Sequence, residues 1–180
     1  NGWVQKKGWN WTRPYGLVAL DNEPVVHINF NEAENYCKWK KKRIPTKKEW
    51  ELAAYTEFRT NNKDGYKFKK SYPYPTGENT LGLNCFNDCN FNYPSKYSKF
   101  LLRGYGHVST FSTKKGINGL YDMGGNVWEW VDINDNSYKG TKGGSWWYGK
   151  NQMIQGFKAT KPKKMSAVYI GFRCVKDFKN

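Results

Sequence analysis

The stretch 118–130 reads NGLYDMGGNVWEW, and beyond a polar spacer 142–147 reads KGGSWW. Nowhere else does the chain concentrate so many residues with restricted structural uses. The glycine pairs Gly124-Gly125 and Gly143-Gly144 permit positive φ or close backbone approach. Two carboxylates, Asp122 and Glu129, and two indoles, Trp128 and Trp130, share the segment. Such a segment reads as a rigid, ligand-holding loop rather than a plain strand or helix.

The chain around it has 180 residues, enough for one domain with a sizeable core. Only 38% of residues are hydrophobic but 18% are aromatic, so the expected core is built from rings, which also make binding surfaces. No apolar run approaches the roughly 20 residues a bilayer crossing needs, and no signal peptide opens the sequence at Asn1. The formal charge is +15. The lysines behind it are scattered and no nucleic-acid-binding signature accompanies them, so the charge reads first as solubility. Four cysteines are too few for a disulfide scaffold and lack zinc-ribbon spacing, and only His27 and His107 are available to join them. Disulfides are the better expectation, which favours an oxidising compartment.

From the N-terminus, 1–23 is aromatic and turn-rich, with Trp3, Trp9, Trp11 and Pro14-Tyr15-Gly16; NWT at Asn10 fits a glycosylation sequon. The run PVVHINF (24–30) predicts a short strand with His27 as a packed or rim residue. Asn31 is placed to cap a helix with Glu34 at its third position and Ala33, Tyr36 and Cys37 facing inward. A second helix follows in RIPTKKEWELAAY, with Thr46 as cap, Glu49 closing a capping box, and Trp50, Ala53 and Ala54 on the apolar face. Residues 56–117 show little periodicity; so long an irregular stretch calls for cross-links, ions or function. NCFNDCN suggests a local tie between Cys85 and Cys89, and Asn84, Asn87 and Asp88 there read as a hydrogen-bonded turn before a cation site. Strands are expected at 153–159 and in the closing VYIGFRCV, separated by a basic loop to Lys164, with Arg173 as a brace.

Four segments resemble the formylglycine-generating enzyme (sulfatase-modifying factor) superfamily: PVVHINFNEAENYCKW, RIPTKKEWELAAY, NGLYDMGGNVWEWV, and KGGSWW with IGFRC. Their order and spacing agree over most of 6–175. The resemblance implies a C-type-lectin-like α+β fold with short helices, small antiparallel sheets and long ordered loops. It implies a single domain over 1–180 that lacks the family's glycine-rich N-terminal segment.

The resemblance also carries chemistry. Family enzymes oxidise a substrate cysteine with copper held by two thiolates, which suit Cu(I). The thiolate pair would follow GGS, where this chain has Tyr148 and Met153. Copper is therefore not expected, and a groove lined by Trp146, Trp147, Tyr148, Met153 and Phe157 is expected in its place, for a protein, peptide or carbohydrate ligand. The family's calcium site would fall on the Asp122 and Glu129 side chains with the Gly125 and Val127 carbonyls, a hard-oxygen set that suits calcium. A second would use Asn84 and the Cys85 carbonyl, with its acidic partner falling at Phe100. Cys37 and Cys174 match a disulfide of some members. The expected function is a non-catalytic, calcium-stabilised binding or structural module, secreted, periplasmic or on a cell or virion surface. A divergent cysteine oxidase is the alternative, and a retroelement-diversified ligand-binding protein, variable over 147–169, is another.

Overall fold

The computed structural model describes residues 4–89, 95–97, 99, 101 and 106–177. Trp3, Phe100 and the readings placed on them lie outside the described residues. The elements are α1 (Phe30–Trp39), α2 (Lys47–Tyr55), β1 (Trp128–Val131), β2 (Tyr138–Lys142), β3 (Thr160–Pro162) and β4 (Ile170–Gly171). Short 3-10 turns occupy Ile117–Gly119 and Lys150–Met153.

Both helices begin with reciprocal capping boxes. At α2 the Thr46 hydroxyl accepts the Glu49 N–H while Glu49 accepts from the Thr46 N–H at 2.8 Å, as its sequence predicts. At α1 the cap is Asn29 rather than Asn31. Its side chain accepts the Glu32 N–H at 3.1 Å, and Glu32 returns the bond at 2.8 Å. The Asn-x-x-Glu spacing occurs twice in succession, and the earlier copy prevails because it places Phe30 inward. The buried stripe is then Phe30, Ala33 and Cys37, while Tyr36 stays 46% exposed.

The expected strand at 24–30 does not form. Pro24 has no N–H to donate, and His27 turns the chain with φ of 57°. Its N–H donates to the Ala167 carbonyl and that of Phe30 to the Lys163 carbonyl, single anchors rather than a ladder. Likewise 153–159 is a turn, with Gly156 at φ 85°, and the strand β3 begins in the supposed basic loop. The closing run is extended only at β4 and at a lone bridge from Val175 to Arg43.

The sheet order is β3-β2-β1-β4, with β1 antiparallel to β2, β2 antiparallel to β3, and β1 parallel to β4. Strand β1 is buried along its length. Its alternation sends Trp128 and Trp130 to one core with Phe30, Trp146, Tyr169 and Ile170. Val131 joins the other, with Trp50, Ala54, Tyr55 and Met123. Burial of such rings dominates core energetics. The disulfide Cys37–Cys174 fastens α1 to the chain end, and Cys85–Cys89 closes a local loop. This is the α+β architecture that the resemblance implies. Among the described residues no helix is long and apolar enough to cross a membrane.

Candidate functional site

The central loop is shaped by backbone that ordinary residues resist. Asp122, Gly125 and Asn126 have φ of 59°, 70° and 51°. At Gly125 a Cβ would collide with the Asn84 carbonyl oxygen, so glycine is required by space as well as by φ. The Gly125 N–H donates to the Gly143 carbonyl at 2.7 Å, which joins the two glycine pairs. Asn126 is a hub that the sequence reading missed. Its side-chain oxygen accepts from the Val108 N–H at 2.9 Å and from the Asn84 amide at 3.3 Å, and its carbonyl accepts from Trp146 N–H at 2.9 Å. An Asn between glycines and a strand was the available signal.

Asp122 accepts from the Thr113 hydroxyl at 2.7 Å and the Phe111 N–H at 2.9 Å. Burial pushes its carboxyl above the usual range; these two bonds oppose that, Glu129 adds to it, and Arg173 offsets it. Glu129, 5% exposed, is held differently. One oxygen accepts from the Trp50 indole N–H and from Arg173 Nε, both at 2.6 Å, and the other accepts from Arg173 Nη2 at 2.6 Å. Arg173 also donates to the Tyr121 carbonyl at 3.2 Å, so it braces the loop from β4's end.

Asp122 in the turn and Glu129 in β1, with Arg173 as their compensating guanidinium, are hard oxygen donors of the kind that calcium takes. Glu129 Oε1 keeps a lone-pair site beyond its Arg173 bond, so Glu129 fits as a single-oxygen donor rather than a bidentate one. Asn84 is fixed in place: its side-chain nitrogen donates to the Gly106 carbonyl at 3.0 Å and its backbone carbonyl accepts from the Asn126 N–H. Cys85 lies in a disulfide beside it. The expected hydrogen-bonded turn at Asn87 and Asp88 is present, with Asp88 accepting the Lys150 N–H at 3.1 Å.

The groove residues divide. Trp146 and Met153 are core side chains at 1% and 0% exposure, which corrects their placement on a groove wall. Trp146 packs against Tyr15 and Met153 against Leu83, Cys85 and Cys89. Trp147, Tyr148 and Phe157 remain half-buried. The Tyr148 ring meets Trp128 at 5.5 Å and Tyr169 at 5.8 Å, both edge-on, and Phe157 stacks on Trp128 at 6.2 Å. Lys161 lies 5.5 Å over Trp128, its ammonium pKa lowered by burial; the sequence reading counted it only as part of a basic loop.

A second polar cluster surrounds a cavity of about 260 Å³ lined by Leu20, Glu23, Lys96, His107, Val108 and three serines. Glu23 accepts from Lys96 at 2.6 Å and from the Tyr97 hydroxyl at 2.7 Å. His107 is fully buried, with Nδ1 3.1 Å from the Tyr15 hydroxyl and Nε2 3.7 Å from Glu23. Burial lowers the His107 pKa and outweighs the attraction of Glu23, which keeps the imidazole neutral. His27 donates through Nε2 to the Pro14 carbonyl at 2.8 Å, a packed rim residue as expected.

With this geometry in hand, comparison with known proteins gives a consistent result. The family model described as "Sulfatase-modifying factor enzyme 1-like domain" matches residues 1–178. The chain is 31% identical over 135 residues to the formylglycine-generating enzyme of Streptomyces coelicolor, covering 71% of this chain and 39% of that protein. It is 32% identical over 153 residues to the inactive C-alpha-formylglycine-generating enzyme 2 of Bos taurus, covering 80% of this chain and 46% of that one. The chain thus spans less than half the length of these relatives. Among solved structures, PvdO from Pseudomonas aeruginosa superposes with a TM-score of 0.63 at 18% identity, over 87% of this chain and 63% of that one. The four motifs, the α+β architecture and the family match agree: the chain belongs to the sulfatase-modifying factor enzyme 1-like domain family.

Proposed function

We propose that this chain is a non-catalytic sulfatase-modifying-factor-like domain acting as a binding or structural module, with calcium stabilising its central loop. The state of its sulfur carries the reading. All four cysteines are committed to the pairs Cys37–Cys174 and Cys85–Cys89, and none is free. Copper chemistry of the family type needs two thiolates, and Tyr148 and Met153 stand at those positions. A phenol and a thioether sealed against Cys85 and Cys89 supply neither. That one group of relatives carries the name "inactive" supports the same reading.

The half-exposed rings of Trp147, Tyr148 and Phe157 around Trp128 give an aromatic wall suited to a peptide or carbohydrate. Two disulfides favour an oxidising compartment, and we place the domain outside the cytosol, secreted, periplasmic or on a cell or virion surface. Calcium, when bound, would tie Asp122 and Glu129 to the Gly125 and Val127 carbonyls and stiffen a loop with few ladder hydrogen bonds.

Copper(I) titration and oxygen uptake with a cysteine-containing peptide test the non-catalytic part. Substoichiometric copper and no uptake above the blank are expected; stoichiometric copper with turnover would establish the divergent oxidase instead. Metal analysis and thermal melts with and without a chelator test the calcium part separately. About one calcium per chain is expected, with a melting temperature that falls on chelation and stays insensitive in Asp122→Asn. An unchanged melt in the parent chain removes calcium from the proposal.

A further inference from the structure

Helix α1 leaves one edge uncovered. Its inward stripe is Phe30, Ala33 and Cys37, whereas Tyr36 and Trp39, three residues apart, are 46% and 70% exposed. The Tyr36 ring meets Trp39 at 5.7 Å and Phe172 at 5.5 Å, so three rings form one strip. A tryptophan this exposed, in company, marks an interaction surface rather than scattered surface apolarity.

Lysines frame the strip. Lys38, Lys40, Lys41 and Lys42 end α1 and form the turn after it, all exposed. The bridge between Arg43 and Val175 brings exposed Lys176 alongside. Lys40 lies 4.2 Å over the Trp39 ring and Lys38 pairs with Glu34. Among the described residues no ion pair takes Lys41, Lys42 or Lys176. The nearby carboxylates are spent: Glu49 and Asp177 both bind Arg43, and Glu32 caps α1. The edge is also stiff, because Cys37 is cross-linked to Cys174 and the Lys42 N–H donates to the Cys37 carbonyl at 2.8 Å.

We propose that this edge docks on the surface of a membrane rich in anionic phospholipid, with Trp39 and Tyr36 at headgroup depth and the lysines against the phosphates. Amphipathic rings settle at that interface, and lysines beside it add attraction that falls off within a Debye length. The chain's charge of +15 acts in the same direction. A polynucleotide fits less well. Its readers rely on guanidinium forks and parallel stacking rings. Here Arg43 is consumed by two carboxylates, and the rings cross at 56° and 71°.

Co-sedimentation of the chain with vesicles tests this, using phosphatidylcholine alone and phosphatidylcholine with about 30% phosphatidylglycerol at low salt. Binding is expected only to the anionic vesicles. It should weaken about tenfold in Trp39→Ala and about thirtyfold in the double variant Lys41→Glu, Lys42→Glu. The charge-matched variant Lys63→Glu, Lys67→Glu, away from the edge, should bind like the parent. No binding, equal binding to neutral vesicles, equal losses in both charge variants, or binding to a single-stranded oligonucleotide with none to vesicles would each overturn the proposal. All substitutions are on exposed side chains, so thermal melts of the variants are expected to match the parent's.

Discussion

Arg173 grips Glu129 through two hydrogen bonds of 2.6 Å each, across 44 residues of sequence, and the Trp50 indole completes the cradle. Together they link the β1 carboxylate to the segment after β4 and to α2. The cradle fixes in place a motif residue expected to hold a cation, and leaves one of its oxygens with a single bond, from Arg173.

Arg173→Ala is therefore expected to destabilise the domain by about 3 kcal/mol, because a 5%-exposed carboxylate is left without its charge partner. Replacing both partners, as Glu129→Gln with Arg173→Met, should cost less than Arg173→Ala alone. Urea unfolding of the parent and the two variants checks the order. Equal losses would mean that the pair contributes packing rather than charge compensation.

The two disulfides should differ in weight. Cys37–Cys174 closes a loop with a separation of 137 residues, Cys85–Cys89 one of 4. The chain-entropy model gives about 5 kcal/mol for the first and about 2 kcal/mol for the second. Paired serine variants, measured by denaturant midpoint, test the ranking. A larger loss at Cys85–Cys89 would point to native-state packing around Met153 and Leu83 as the dominant effect.

Acid should unfold the domain in two stages. Burial holds His107 and His27 below the ordinary 6.5, so the unfolded chain takes up these protons first and stability falls as pH drops below about 6.5. Burial raises the Glu23 carboxyl, but His107, Lys96, Tyr97 and Leu20 together bring it down to about 2. Its contribution is complete above the ordinary 4.5 and is lost as pH falls toward about 2. Thermal melts across this range should show both limbs, with Glu23→Gln making the lower one shallower and, by removing the attraction that raises His107, strengthening the upper one.

Gly125→Ala should cost well over the roughly 1 kcal/mol of a plain positive-φ substitution, because the added methyl meets the Asn84 carbonyl as well. Gly156→Ala, with φ of 85° and open space around it, isolates the backbone part. A similar loss at both sites would show that the loop yields to the methyl.

Much of the scaffold was legible because its signals are local. Thr46 with Glu49 is a bond between neighbours on the chain, and the α2 face follows from helical period alone. Asn29 against Asn31 was not decidable that way, since both have a glutamate three residues on; burial of Phe30 broke the tie. The strands misread at 24–30 and 153–159 have strand-like composition but lack a ladder partner, and composition carries no information about partners.

The candidate site divides along the same line. The residues by themselves determined the turn glycines, the paired carboxylates, and, through the family motif, the loss of the thiolate pair at Tyr148 and Met153. Only the tertiary structure decided that Glu129 is gripped by Arg173 and Trp50, that Met153 and Trp146 are core, and that Trp39 stands exposed beside Lys41 and Lys42, which no ion pair takes among the described residues. Conformational preference and capping act over a few residues, so one segment suffices to read them. Burial and ion pairing depend on groups as far as 134 residues apart arriving at one point, as Arg43 and Asp177 do, and that is settled only when the whole chain has packed.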